Sequence, residues 1–437
     1  MKLNDKLKKL DSYPFHMPGH KRNGRFGIAG AEIDITEIKG FDNLHSAKGV
    51  LLDIENRLSS HYKSEKSFML VGGSTVGILS AIHTLCSSGD KIIIARNCHK
   101  SVFNACSLLR LRVVYVEPEY DGKCGYYKEV TQQALDTVIR AHNDASAVVI
   151  TSPTYEGMLS NISCKLPLIV DAAHGAHLGI KPFPDYPKGD IVISSLHKTL
   201  PALTMTAVAN IYNDKYTAKF KRYLDIFETS SPSYVLMNSV DICTQYLENC
   251  AEDFDAYYSR LTALRKMGLM WLEIRHSDDI GKLVISTADA SINAQDLAQA
   301  LRERYAIEVE AALSEHVILM TSPADTDEAF ARLKAALCQI DSECDKKSFR
   351  RRFRKPPCPA DAVTIFFEDC GDMTEIENAV GKRACEFVYA YPPDIPLLIP
   401  NEIISAEMSE YISGLINSNV NVESDSGLLP KVLTKQA

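Results

Sequence analysis

The chain has 437 residues, 46% hydrophobic and 24% charged, which is the balance of an ordinary soluble globular protein with roughly two to three domains. Its formal net charge of −8 argues against a general nucleic-acid binder, and no apolar run is long enough to span a membrane. The 12 cysteines are scattered singly with no C-x-x-C pair, so zinc ribbons and thioredoxin-like motifs are unsupported; with no export signal, a cytoplasmic protein with reduced thiols is expected. The basic stretch Met1–Leu10 has no apolar segment behind it and reads as a short amphipathic helix rather than a signal peptide.

From residue 66 to 212 short apolar runs alternate with amphipathic stretches. The runs are Ser67–Val71, Ile92–Ala95, Val113–Val116, Ala147–Thr151, Leu168–Asp171, Ile191–Ser195 and Ala207–Tyr212. Six are separated by segments long enough for crossovers, which predicts a seven-stranded, mostly parallel α/β sheet covered on both faces. The last run follows after only a brief loop, which allows it to run antiparallel. Residues 213–275 are helical in pattern. Beyond 280, strand-like Leu283–Ser286, Ile307–Ala311, Val317–Thr321 and Val363–Phe367 mix with helices at Ala294–Tyr305 and Asp327–Gln339, predicting a smaller C-terminal α+β domain. The expected division is an N-terminal segment 1–45, a large domain 46–275 and a C-terminal domain 276–437. The basic run Lys346–Lys355, followed by Pro356-Pro357, reads as a solvated surface connector.

Four features converge on one edge of the predicted sheet. The run Ser67–Val71 leads into Gly72-Gly73-Ser74-Thr75-Val76-Gly77 and a helix; glycines permit a tight turn, and free N–H groups at the helix start attract phosphate. An ordinary Ser/Thr cap is the alternative, and the spacing is not that of a nucleotide P-loop. His99, after Ile92–Ala95, offers a flat ring at another strand end, or is simply a loop histidine. Asp171 ends Leu168–Asp171 where open α/β sheets place ligands; a buried acid there needs a partner, such as a pyridinium N–H, unless it only caps a turn. His174 and His177 follow, but no third ligand at suitable spacing accompanies them, so no metal site is assigned. Lys198 follows Ile191–Ser195 with His197 before it and Leu200-Pro201 after it. A lysine at the mouth of a parallel sheet is a poor structural choice and a good chemical one, because its amine condenses with an aldehyde, and pyridoxal phosphate (PLP) is the common aldehyde cofactor.

These segments resemble the Orn/Lys/Arg decarboxylase family, PLP enzymes of the fold type I, aspartate-aminotransferase-like class. The motifs run in family order: His16-Met17-Pro18-Gly19-His20-Lys21, Phe41-Asp42-Asn43-Leu44-His45, Gly73-Ser74-Thr75, Arg96–Ser101, Ser152–Gly157, Asp171–His177, Ser195–Ala202, Thr229–Tyr234 and Tyr391–Glu402. The resemblance implies PLP bound through a Schiff base to Lys198, with Asp171 on the pyridine nitrogen and His99 stacked on the ring. It implies Ser74, Thr75, Val76, His174, Ser195 and Ser231 around the cofactor, and His197 in the proton return. His16, His20, Lys21 and Glu402 become substrate residues, Glu402 facing the distal cation. The implied reaction is α-decarboxylation of arginine, lysine or ornithine toward polyamine precursors, in a homodimer whose active site lies at the subunit interface, without nucleic-acid or membrane partners.

Departures from the family pattern are Ala172, Leu196, Asp394 and Asn401; the last two replace glycines in the substrate-proximal motif. The chain also begins almost directly at the Pro-Gly-His-Lys segment, without the family's N-terminal wing, which is the ground for expecting a dimer. The alternatives are another fold type I reaction (transamination or β-elimination), a non-catalytic regulatory homologue, or a metal hydrolase using His174 and His177.

Overall fold

The computed structural model describes residues 2–349, 352–359, 361–367, 371–390, 394–417 and 420–436. The chain folds into two compact units that interleave along the sequence. One runs to Leu85 and resumes over Ile169–Phe254; the other holds Cys86–Leu168 and continues from Asp255.

In the first unit the strand order is Lys66–Leu70, Ala207–Ile211, Ile191–Ser195, Leu168–Asp171. The last two run parallel. Ala207–Ile211 is antiparallel to both its neighbours, as its short connection from Lys198 permits. Every residue of Ile191–Ser195 is buried, which is why it reads as a continuous apolar run rather than an alternating one. Helix Gly73–Leu85 lies close on this sheet: a Cβ added at Gly77 would meet Leu70 Cδ1 and Ile193 Cγ2, each at 2.8 Å. The expected N-terminal helix forms over Leu3–Lys8. It buries Leu3 and Leu7, and the N–H of Leu3 donates to Asp241 Oδ2 at 2.9 Å.

In the second unit Ala147–Thr151, Lys91–Ala95 and Arg112–Val116 are parallel neighbours. All seven runs expected from the sequence are therefore strands, and an eighth joins them. Val363–Thr364, expected in the small domain, instead pairs antiparallel with Val113 and Arg112. Glu273–Ile274, Lys282–Ser286, His316–Met320 and Ala311–Leu313 make a four-stranded antiparallel sheet, with helices Ala294–Tyr305 and Asp327–Glu343 in the same unit. The strand expected from Ile307 starts only at Ala311. The preceding residues end the helix: Ala306 is left-handed at φ 53°, and Ile307 N–H donates to Leu301 O at 3.0 Å.

Two three-stranded sheets complete the C-terminal region: Asp372–Glu375, Lys431–Lys435 and Arg383–Ala384, and then Ile395–Leu398, Val388–Ala390 and Val422–Ser424. Their core includes Val388, Leu397, Leu398, Ile404, Ile412 and Val432. The described residues of the basic run are mostly exposed, as expected of a surface connector, and a few contacts tether it. Lys347 pairs with Glu315, Lys355 pairs with Glu117, and Phe353 N–H donates to Gly122 O at 2.9 Å. Arg350 and Arg351 lie outside the described residues. Among the described residues no helix is long and apolar enough to cross a membrane.

Candidate active site

Lys198 follows its strand by way of a four-residue helix, Leu196–Thr199, between Ser195 and Leu200. The loop after Leu168–Asp171 runs alongside that strand: Ala172 N–H donates to Ile193 O at 2.8 Å, and Ser195 N–H to Ala173 O at 3.3 Å. This parallel walk carries His174 forward until its Nε2 lies 3.1 Å from Lys198 Nζ. Asp171 is buried at the start of the loop, and its Oδ1 accepts the Ala173 N–H at 3.1 Å. One crossover thus brings an amine, an imidazole and a carboxylate together at adjacent strand ends, the edge where open α/β sheets hold ligands.

His197 Nδ1 lies 2.9 Å from Thr206 O. A carbonyl only accepts, so the proton sits on Nδ1 and Nε2 keeps its lone pair. Burial lowers the His197 pKa, the Lys198 charge adds to that, and the Thr206 carbonyl opposes both. The ring is consequently neutral at neutral pH.

The turn before helix Gly73–Leu85 depends on Gly73, whose φ is 78° and whose N–H donates to Met205 O at 2.8 Å. Ser74 is half-buried and Thr75 exposed at the helix start, with Val76 buried behind them. Glu228 went unnoticed in the sequence: its buried carboxylate accepts the N–H groups of Val71 at 3.0 Å and Gly72 at 3.2 Å. A lone acid at a helix C-terminus carries no sequence signal for that role.

The test for a bound phosphate ester is Ser195. Its Oγ is buried without a hydrogen-bond partner. An orphaned buried hydroxyl costs stability, and a ligand that accepts its proton removes the cost. Together with the open helix start at Ser74 and the Lys198 amine, these residues fit PLP.

The N-terminal motifs are tied to their own surroundings. His16 Nδ1 lies 3.2 Å from Thr36 Oγ1, His20 pairs with Asp34 at 3.1 Å, and Lys21 Nζ donates to His16 O. His45 joins Asp225 at 2.7 Å and Thr229 O at 2.8 Å, which fixes the start of the loop that bears Ser231. Burial opposes its charge, but the Thr229 carbonyl and the Asp225 carboxylate raise its pKa above the ordinary value.

His99 belongs to the second unit, where it caps helix Lys100–Leu108; its Nδ1 accepts the Ser101 N–H at 3.1 Å. The same unit buries Arg96 and Glu402. Arg96 donates through both terminal nitrogens to Pro396 O and Leu397 O, the latter at 2.8 Å. Glu402 Oε2 accepts the Ile399 N–H at 3.2 Å. Burial pushes the Glu402 carboxyl up to about 7, against the pull of Arg96. Of the C-terminal motif, Tyr391, Pro392 and Pro393 lie outside the described residues. Asp394 and Asn401, which replace family glycines, both keep positive φ, at 60° and 71°.

Comparison with known proteins now decides the family. The family described as Orn/Lys/Arg decarboxylase, major domain, matches residues 5–257, and its C-terminal domain matches residues 342–421. The chain belongs to the Orn/Lys/Arg decarboxylase family. It is 30% identical to the uncharacterized protein YaaO of Bacillus subtilis, over 97% of this chain and 95% of that one. It is 28% identical to a Bacillus subtilis protein named arginine decarboxylase, over 94% of this chain and 91% of that one. Its fold matches the constitutive lysine decarboxylase of Escherichia coli with a TM-score of 0.76 at 17% identity, covering 99% of this chain and 81% of that one. As a member of this family the chain is a fold type I, PLP-dependent lyase that decarboxylates a basic amino acid.

Proposed function

We propose that this chain decarboxylates arginine at the Lys198 edge of its first unit, yielding agmatine and CO2. The approach of Lys198 Nζ to His174 Nε2 at 3.1 Å is the observation that supports this reading, together with the buried Asp171 and the Ser195 hydroxyl that lacks a hydrogen-bond partner. Arginine is favoured over lysine and ornithine because several relatives that align over most of the chain are named arginine decarboxylase.

When bound, PLP supplies an electron sink for the pair left as the bond from Cα to the carboxylate breaks. Lys198 holds the cofactor, and Asp171 carries a negative charge to the ring nitrogen, which keeps it protonated. Ser195, Ser74 and Thr75 donate to the phosphate, while Val76, His174 and Ser231 line its surroundings. His99 packs on the ring. His197 Nε2, whose lone pair is free, would take up a proton from solvent and pass it to Cα in place of CO2, so turnover consumes one proton per CO2. His16, His20, Lys21 and Glu402 are our candidates for the substrate side; a carboxylate suits a guanidinium. The functional divisions are 1–45, 46–275 and 276–437, and the assembly is a cytoplasmic homodimer, supplying amine to polyamine synthesis.

The test is a screen of the purified chain with PLP against arginine, lysine and ornithine, reading CO2, amine and keto acid. Agmatine with matching CO2 is expected. Keto acid in place of CO2 would favour transamination, and a higher kcat/KM for lysine or ornithine than for arginine would overturn the substrate assignment.

A further inference from the structure

The segment that begins at Asp394 is fastened to the loop that carries His99. Arg96 donates to Pro396 O and Leu397 O, and the Lys100 N–H donates to Asp394 O at 3.0 Å. Asp394 N–H in turn donates to Ala390 O at 3.1 Å. This clasp sets the Asp394 carboxylate 3.9 Å from His99 Nε2, both groups partly exposed.

Two observations give that contact a purpose. The first is the tautomer of His99. Its Nδ1 accepts the Ser101 N–H at 3.1 Å, so the neutral ring bears its proton on Nε2, the nitrogen that faces Asp394. The second is backbone strain. Asp394 sits at φ 60°, where a side chain costs conformational energy and glycine does not. The position keeps a side chain nonetheless, and the side chain it keeps ends in an anion beside the proton-bearing edge of the ring. Strained residues held by their surroundings often mark function.

We propose that Asp394 is a positioning residue for His99: its carboxylate attracts the Nε2–H edge and fixes the plane of the imidazole. The proposal rests on the reading that His99 packs on the cofactor ring. At 3.9 Å the carboxylate acts through its charge rather than through a formed hydrogen bond. The neighbouring Lys100 does not neutralise it, because its ammonium pairs with Asp425 at 2.8 Å and lies over the Tyr389 ring at 4.0 Å.

The test uses the full chain with Asp394→Gly and Asp394→Asn. Both residues tolerate positive φ, so the clasp survives while the charge is lost. The first readout needs no cofactor: the His99 imidazole is titrated by NMR in histidine-labelled apoprotein, assigned with His99→Gln. Removing the anion lowers the His99 pKa by about half a unit. The second readout is kinetic. With PLP bound, each variant loses about three- to tenfold in kcat/KM, and adding Asp394→Gly to His99→Gln costs nothing more, because the two side chains act as one unit. An unchanged His99 titration would overturn the proposal, as would a loss of the same size in the His99→Gln background. A wild-type chain that neither binds PLP nor releases CO2 would instead overturn the function reading, and the apoprotein titration would still decide the Asp394 contact.

Discussion

The surroundings of Lys198 and of His99 are built in opposite ways. Lys198 meets His174 only 24 positions away in the chain, across one crossover between parallel strands. The His99 loop is held by partners about 300 positions away, through the donation of Arg96 to the carbonyls of Pro396 and Leu397. The first arrangement follows from strand order, since neighbouring parallel strands must present their ends on one edge. The second needs the whole C-terminal region folded before any contact exists. On the proposed roles, the difference separates chemistry from its adjustment: the amine proposed to react sits on a short-range frame, and the ring proposed to support it on a long-range one.

The contrast can be broken most severely at Lys198. Lys198→Ala should lower decarboxylation by about 10^4-fold or more, the scale for loss of a reacting residue, and abolish the visible absorbance of bound PLP. Retained absorbance would remove Lys198 from its place. Arg96→Met should leave two carbonyls without their donor and Glu402 without its nearby cation, at a cost of about 2–5 kcal/mol in denaturant unfolding of the second unit. PLP affinity should fall much less than stability.

Ser195→Ala offers a test with two signs. PLP affinity should fall about 10- to 100-fold for the lost hydrogen bond to an anion. The apoprotein should melt no lower than wild type, because the hydroxyl has no partner to lose. A lowered apoprotein Tm would mean that Ser195 serves the fold alone. Gly77→Ala should cost about 1–3 kcal/mol through overpacking against Leu70 and Ile193, with KM unchanged in the surviving fold.

The smallest effect belongs to His45. Its pKa is raised on folding, so its contribution is fully present below the unfolded value near 6.5 and is lost as pH rises through the folded value. The Tm difference between wild type and His45→Gln should be largest on the acid side and shrink as pH rises through the raised folded value. A difference independent of pH would mean that the charge on His45 does not hold the loop.

Much of the fold was legible because its strands are short, apolar and punctuated. The seven strands could be read from Ser67 to Tyr212, and helix Ala294–Tyr305 formed with the bounds its periodicity predicts. The misplaced pieces are those whose partners are remote or whose local geometry is exceptional. Val363–Thr364 is too short to announce that it pairs with Arg112–Val113, and the left-handed Ala306 displaced a strand start. Glu228 was missed for the same reason: nothing local marks a carboxylate that accepts from Val71 and Gly72.

The sequence by itself determined the α/β class, the order of the strand ends and the amine, imidazole and carboxylate that gather at them, because a parallel sheet converts chain order into spatial order. Tertiary structure alone decided that Ser195 is left without a partner, that Arg96 is buried against Pro396 and Leu397, and that Asp394 faces His99. Hydrogen-bond satisfaction and charge proximity depend on which distant atoms arrive, and a one-dimensional pattern does not contain those distances.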